Sequence, residues 1–453
     1  MTTGVEAPST AGQPLSTTVR VGYSLGSLVT GAFGTVPGLL LLPYLTDNLG
    51  VAAGAAGLLV LLPKAWDVVV NPLAGRISDR THTRWGARRP YLIFGGVSLA
   101  VLFALMFAAP FGAEPGISAA YVAVVFLFTA TAFAFFQVPY VSMPAEMTDD
   151  YAERTRMMTW RVALLATAIL VSGAGAPWIV DATGGGIAGH RWMGVFVASL
   201  MILGCVTVFV VTAKAPLGSV TASEPTLRGQ LRIVAANRPF RVLVACFVAQ
   251  AAGVSCMLAG VNYFADHVLH DHSARTLLFL FAVSPALVVM PLWRRIGDKV
   301  GKLRGYVIAS VTLTAATLIL VVSPFVPTWL VYAFIAIMGI GYAGQQLFGL
   351  AMLPDCIALD TARTGKRQAG VFTGVWTAGE TLGLALGPGI FGAVLQMFDY
   401  SSSTTGTPAP QSALAEQGVL LGFTLVPAVI VGLALVFLRN YSKDLPSPAE
   451  QPQ

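Results

Sequence analysis

Twelve apolar stretches, each long enough to cross a bilayer, dominate this 453-residue chain. Six fall near 21–45, 51–75, 91–111, 117–142, 162–180 and 192–213. Six more fall near 240–265, 275–293, 305–325, 328–354, 369–397 and 417–438. About 20 apolar residues span the hydrocarbon as a helix. Within lipid every backbone N–H and C=O must find a partner in the protein, which leaves helices or a closed barrel. A barrel would show alternating segments of about ten residues, and these are missing. The expected fold class is an all-α polytopic membrane protein with twelve transmembrane helices. Charged residues make up 11% of the chain, against about 25% in soluble domains. Soluble enzymes, secreted proteins and nucleic-acid binders are thereby excluded, despite the net charge of +6.

The basic residues set an orientation and not a partner. With the N-terminus placed inside, 24 of the 27 Lys and Arg fall in inner segments. Arg191 and Arg275 lie outside, and Lys64 lies within a span. This positive-inside bias predicts cytoplasmic termini, in a multi-pass protein of the plasma membrane of a bacterial cell. Polar tails are expected at 1–18 and 440–453, a first six-helix unit at 19–213, an inner loop at 214–239 and a second unit at 240–439. The basic, partly amphipathic stretch from Leu227 to Arg241 suits a membrane surface. Cys205, Cys246, Cys256 and Cys356 have no paired spacing and read as buried apolar residues, not disulfides or zinc ligands.

One motif occurs twice, six spans apart. Asn71-Pro72-Leu73-Ala74-Gly75-Arg76-Ile77-Ser78-Asp79-Arg80, with Arg88 and Arg89 beyond it, follows span two. Met290-Pro291-Leu292-Trp293-Arg294-Arg295-Ile296-Gly297-Asp298-Lys299 follows span eight. In both, Pro-Leu precedes an aspartate by seven residues and a basic residue follows it. The duplication implies two parallel six-helix repeats about an axis along the membrane normal. Each aspartate suits a helix N-terminus or nearby arginines. Asp79, Arg80, Arg88, Arg89, Asp298 and Lys299 are therefore expected to form a cytoplasmic gate that latches the halves together.

This pattern resembles the loop motif of the major facilitator superfamily, whose members move solutes by rocking two six-helix bundles about a central site. The longer string Lys64-Ala65-Trp66-Asp67, Asn71-Pro72, Arg84-Trp85-Gly86, Arg89-Pro90 is similar to the glycoside–pentoside–hexuronide:cation symporters of the melibiose-permease type. Tyr44-Leu45-Thr46-Asp47, Val138-Pro139-Tyr140 and Met352-Leu353-Pro354-Asp355 agree with it. The resemblance implies the major facilitator fold, a cation-site carboxylate at Asp67 and a sugar-contacting arginine at Arg161. It also exposes departures. The second span-two aspartate of the melibiose type is Asn71 here, its span-one sugar aspartate aligns near Gly31, and its span-four aspartate near Gln137. The span-eleven lysine has no match, and Glu380-Thr381 stands in that register.

Lys64, Asp67 and Glu380 are the ionisable residues inside spans, and such residues are functional candidates by default. Lys64 and Asp67, three apart, share a helix face and can pair. Asp67 and Glu380, with Lys64 and Asn71 beside the first, are the expected coupling residues. One remaining carboxylate favours a proton over sodium, which wants several oxygens and negative charge. Candidate substrate groups are Arg161, Gln137, Tyr140, Tyr23, Asn262, Gln345, Gln346 and Trp376, with Gln250, Tyr263 and Tyr342 as further polar groups on apolar helices. For any one of them, a bond between helices is the alternative role. His267, His270 and His272 lie in an expected outer loop, read as solvated and not as a metal site. No ATP-binding, catalytic or dinucleotide motif stands out. The chain thus reads as a secondary transporter of a small molecule, a sugar or glycoside moved with protons, without cofactor or nucleic acid and functional as a monomer. The competing expectation is a carrier or exporter of an amphiphilic, lipid-like or secondary-metabolite substrate on the same scaffold.

Overall fold

The computed structural model describes residues 15–110, 112, 114–148, 151–215, 234–364, 369–404 and 409–438. Among the described residues, twelve helices are long and apolar enough to cross a membrane. They are α1 (Thr17–Leu41), α2 (Ala53–Asp79), α3 (Arg89–Met106), α4 (Pro115–Met147), α5 (Tyr151–Ala182) and α6 (Gly186–Val211). The second set is α7 (Arg238–His267), α8 (Ala274–Val300), α9 (Lys302–Ile319), α10 (Thr328–Thr364), α11 (Ala369–Met397) and α12 (Ala413–Val436). The expected tails, most of the 214–239 loop and the stretch from Leu227 lie largely outside the described residues.

Local chemistry sets the helix ends. The side chains of Ser16, Asn237 and Ser412 accept from Val19, Phe240 and Ala415 N–H at 3.3, 3.0 and 3.1 Å, satisfying donors that a helix start leaves free. Proline opens α3, α4 and α7, where its missing N–H costs nothing. Helix α1 is not one rod. It breaks after Ser24, resumes at Ser27, and passes into π turns at Pro37–Leu41 and Tyr44–Asn48. Prolines at 37 and 43 withhold ladder donors there.

The helices form two bundles. In the first, α2 and α3 pack on α4, α3 on α6, and α1 on α5; in the second, α7 packs on α11 and α12, and α10 on α8 and α9. Between bundles, α2 meets α11, α5 meets α8, and the Pro37–Leu41 turn of α1 meets α7. Advancing each helix of the α2–α11 contact by six positions around the repeat gives α8–α5, so the interface has the two-fold relation that the duplicated motif predicts.

Call the face carrying the Asp79 and Asp298 loops the basic face. Between described residues, the hydrogen bonds and ion pairs that join the bundles lie at the opposite face. There Asn262 donates to the Leu39 carbonyl at 2.7 Å, Thr46 meets Tyr263 at 2.6 Å, and Ser402 donates to the Val51 carbonyl at 2.8 Å. Glycines let the helices approach closely there. A β-carbon on Gly57 of α2 would stand 2.9 Å from the Pro388 carbonyl oxygen and 3.3 Å from the Cα of Gly389 in α11. Small residues let backbones approach this closely in a membrane. Among the described residues, the bundles are thus joined to each other at the opposite face.

Gly57→Val removes that approach at an overpacking cost of about 1–3 kcal/mol, enough to invert a two-state ratio. It is expected to part the opposite face, measured as faster labelling by an impermeant maleimide of a cysteine introduced at Thr46.

Candidate functional site

In the first bundle, the sequence-predicted residues separate into satisfied and unsatisfied groups. Tyr23 and Tyr140 are fully buried and stacked at 4.7 Å. Each hydroxyl donates to the other's backbone carbonyl at 3.0 Å, and Ser27 bonds Tyr140 at 3.2 Å. These hydroxyls are spent on joining α1 to α4, so the expectation of substrate contact gives way to a structural role. Arg161 of α5 lies over the Tyr140 ring at 5.3 Å, and its Nε is buried without a hydrogen-bond acceptor. Gln137, one turn before Tyr140, has its Oε1 buried and unpartnered.

Helix α2 presents Lys64, Asp67 and Asn71. Val70 and Ala74 pack against Ala134 and Val138 of α4, which places Asn71 beside the Gln137 turn. Asp67 is buried and its Oδ1 accepts no hydrogen bond; Asn71 Oδ1 is likewise unpartnered. Lys64 is also buried, with its ammonium 3.9 Å from where a β-carbon of Gly38 would stand on α1. No ion pair within 4 Å joins Lys64 to Asp67 among the described ion pairs, so the expected i,i+3 contact is not made. At Gly31, a β-carbon would lie 2.7 Å from the Ala168 β-carbon and 3.3 Å from the Leu165 carbonyl oxygen. A side chain has no room there, and Gly31 serves as the α1–α5 contact.

In the second bundle, α10 and α11 bring Tyr342, Gln345, Gln346 and Glu380 onto one small cavity of about 40 Å³, together with Phe247 and Gln250 of α7. Gln346 donates to the Tyr342 hydroxyl at 2.8 Å and shares the cavity with Glu380. Gln345 Nε2 and Trp376 Nε1 are buried without acceptors, and the Trp376 ring stacks on Phe247 at 4.1 Å. Gln250 is instead satisfied at both ends, by Ser310 at 3.0 Å and Tyr306 at 2.5 Å, and ties α7 to α9. Asn262 sits at the opposite face, its Nδ2 donating to the Leu39 carbonyl and its buried Oδ1 without a donor.

Among the described bonds, those of the duplicated motif stay within the first bundle. Asp79 pairs with buried Arg88, which also donates to Ser78 at 2.6 Å. Arg89 reaches the Phe209 carbonyl of α6 at 2.9 Å. All of this lies within the first bundle. Arg80, Asp298 and Lys299 are exposed. The bonds described for the motif staple the α2–α3 turn. Sequence reasoning missed the groups at the opposite face. His267 is the last residue of α7, buried, with Nε2 3.0 Å from the Tyr400 hydroxyl. His272 pairs with Asp266 at 2.7 Å, and Arg275 binds Asp266 and reaches Asp181 of α5 at 3.3 Å. His270 is exposed. The loop is therefore not simply solvated. The crowding of Asp266, three histidines and Arg275 was the available signal.

Comparison with known proteins agrees with this arrangement. The family of MFS/sugar transport proteins matches residues 22–444. The putative glycoside/cation symporter YagG of Escherichia coli (strain K12) is 28% identical, over 93% of this chain and 91% of its own. The isoprimeverose transporter of Lactiplantibacillus pentosus is 25% identical, over 95% and 89%. In fold, the chain is similar to a bacterial homolog of the human lysosomal transporter Spinster, with TM-score 0.65 at 15% identity, over 95% of this chain and 98% of that one.

Breaking a buried ion pair by removing one partner costs about 3–5 kcal/mol. Asp79→Asn should therefore lower the thermal midpoint of the purified protein by several degrees, whereas Asp298→Asn should leave it nearly unchanged. Differential scanning fluorimetry in detergent measures both.

Proposed function

The chain belongs to the family of MFS/sugar transport proteins, and from that premise we propose that it carries a sugar or glycoside inward together with a proton. It is a multi-pass membrane protein and a secondary transporter of a small molecule, not an enzyme. One observation supports the substrate class above the others. Asp67, Asn71, Gln137, Arg161, Gln345 and Trp376 each hold a buried polar atom with no protein partner. They come from both bundles and from five helices. Leaving such groups unsatisfied costs about 1–3 kcal/mol each, a cost that a polyhydroxylated solute offsets by supplying donors and acceptors together. Arg161 offers a donor, Gln137 and Asn71 offer acceptors, and the Trp376 ring offers an apolar face.

Coupling is assigned to Asp67 and Glu380, one carboxyl in each bundle. Lys64 and Asn71 shape the surroundings of the first. Proton coupling is preferred because the α2–α4 region retains a single carboxylate where a sodium ion would want several charged oxygens. We assign that face and both termini to the cytoplasm of a bacterial cell, a reading that the excess of Lys and Arg on the basic face supports. Twelve helices complete one transport path, so the monomer is the working unit. An amphiphile carrier is the second reading, favoured by the closed contact at Gly31, where the melibiose type holds a sugar-binding aspartate.

Proteoliposomes loaded with a pH dye test this. Adding glycosides should acidify the lumen, and Asp67→Asn or Glu380→Gln should reduce that signal to background. Arg161→Ala, losing a charged hydrogen bond worth about 1.5–3 kcal/mol, should raise the half-saturating sugar concentration roughly ten- to hundred-fold. A response to lysolipids with silence toward every sugar would overturn the sugar assignment.

A further inference from the structure

The seam at the opposite face is built around a carboxyl that the coupling scheme does not use. Asp47 follows α1 and is buried. Tyr400, in the loop after α11, donates to its Oδ1 at 2.8 Å, and Thr46 donates to the same oxygen at 3.0 Å. Since the Tyr400 hydrogen is spent on Asp47, the Tyr400 oxygen accepts from His267 Nε2 at 3.0 Å. Thr46 also meets the Tyr263 hydroxyl at 2.6 Å, and its carbonyl accepts from Ser403 N–H at 2.8 Å. Asp47 and Thr46 belong to the first bundle, and the other four belong to the second.

No Lys, Arg or His lies within 4 Å of Asp47 among the described ion pairs. Arg275 of α8, the nearest cation in electrostatic effect, is committed to Asp266 of α7 and to Asp181 of α5. The titratable and charged groups that face Asp47 are thus Tyr400, Tyr263, Asp266 and Arg275, with His267 acting through Tyr400. Asp47 also lines a cavity of about 490 Å³, shared with Asp181, His190 and His272.

We propose that Asp47 is a second proton-binding site, and that a proton taken up there closes the seam between the bundles. Both donors fall on Oδ1, so a proton on Oδ2 breaks neither bond and removes a buried negative charge facing Asp266. Burial pushes the Asp47 carboxyl up to about 7, tempered by the bonds from Tyr400 and Thr46. When the seam parts, the carboxyl regains water and an ordinary value near 4. The closed seam therefore binds the proton more tightly than the open one, and by linkage the proton favours closure. Raising the pH from about 4 through 7 favours opening, by up to about tenfold per pH unit; below that window both states are protonated and the dependence ends. Given the orientation proposed above, the proton arrives from outside and closes the outer face.

The test is the distance between spin labels on Gly116→Cys at the start of α4 and Ala413→Cys at the start of α12. Both positions are exposed, and the four native cysteines are buried. The measurement is made on the full chain in lipid nanodiscs between pH 5 and 9. A long-distance population that grows with pH, and that is fixed at its low-pH value in Asp47→Asn, is the expected result. Tyr400→Phe, which removes one bond across the seam, should raise the long-distance population at low pH without abolishing its growth with pH. A pH profile that survives Asp47→Asn, or one that is lost in Tyr400→Phe, overturns the proposal. Asp67→Asn separates the two carboxyls: it should end sugar-driven proton uptake yet keep this titration, and a titration lost in Asp67→Asn but kept in Asp47→Asn assigns the site to Asp67 instead.

Discussion

Hydrocarbon offers no water to a polar group, so every such group in this chain must be answered by protein or left waiting for something that comes and goes. That constraint sorts the molecule. Tyr23 with Tyr140, and Gln250 with Tyr306 and Ser310, are closed accounts that bind helix to helix. Asp67, Asn71, Gln137, Gln345 and Trp376 keep a buried polar atom unanswered. Residue type alone does not sort them: the amide of Gln250 is answered at both ends, while those of Asn71, Gln137 and Gln345 are not. What differs is the absence of a partner, and a transport site needs that difference, because a group already satisfied by its neighbour gains nothing from a passing solute.

The same sorting separates what is rigid from what moves. Within the first bundle, Asp79 and Arg88 form a buried ion pair, and Glu153 pairs with Arg20 of α1 at 2.9 Å. Between bundles, the bonds at the opposite face are mostly neutral, such as Asn262 to Leu39, Ser402 to Val51 and Ser403 to Thr46. A neutral hydrogen bond contributes about 0.5–1.5 kcal/mol net, and each can be exchanged for water as the faces part. The charged exception, Arg275 to Asp181, stretches to 3.3 Å while Arg275 keeps its stronger hold on Asp266 in its own bundle. Units that are stiff inside and softly joined are what a rocking motion requires. The glycine approach of Gly57 to Pro388 and Gly389 adds a contact that needs no desolvated charge to form or break.

Span number and fold were legible because they are written in hydropathy and in a duplicated motif, and candidate residues stood out as polar groups on apolar helices. Helix ends were not. Helix α5 begins at Tyr151 and α10 runs to Thr364, well past the apolar stretches at 162–180 and 328–354, because a helix continues into water where hydropathy has already fallen. The roles of Tyr23 and Tyr140 were illegible for another reason: a tyrosine on an apolar helix reads alike whether it faces a neighbour or a cavity. The seam was hidden most deeply. Asp47 and Tyr400 lie 353 positions apart, and only folding brings them together. Arg275 could have raised suspicion, since it is one of the few basic residues expected away from the basic face.

The departures from the melibiose pattern now have a physical sense. At Gly31 the loss of an aspartate is also a change of packing, since α5 occupies the space that a side chain would need. At Asn71 and Gln137 the replacements keep an oxygen but discard the charge, and both oxygens remain unpartnered. On the reading proposed above, these positions retain acceptors for hydroxyl groups without the negative charge that would hold a sodium ion. Lys64, buried three residues from Asp67 on the same helix, works in the same direction, because its ammonium already opposes a metal cation entering beside that carboxylate. A proton binds on the carboxylate itself and needs no shell of oxygens. On that proposal, amides in place of aspartates along α2 and α4 suit a carboxyl that is neutralised by a proton better than a cage for a metal ion, and they leave polar surface for a sugar.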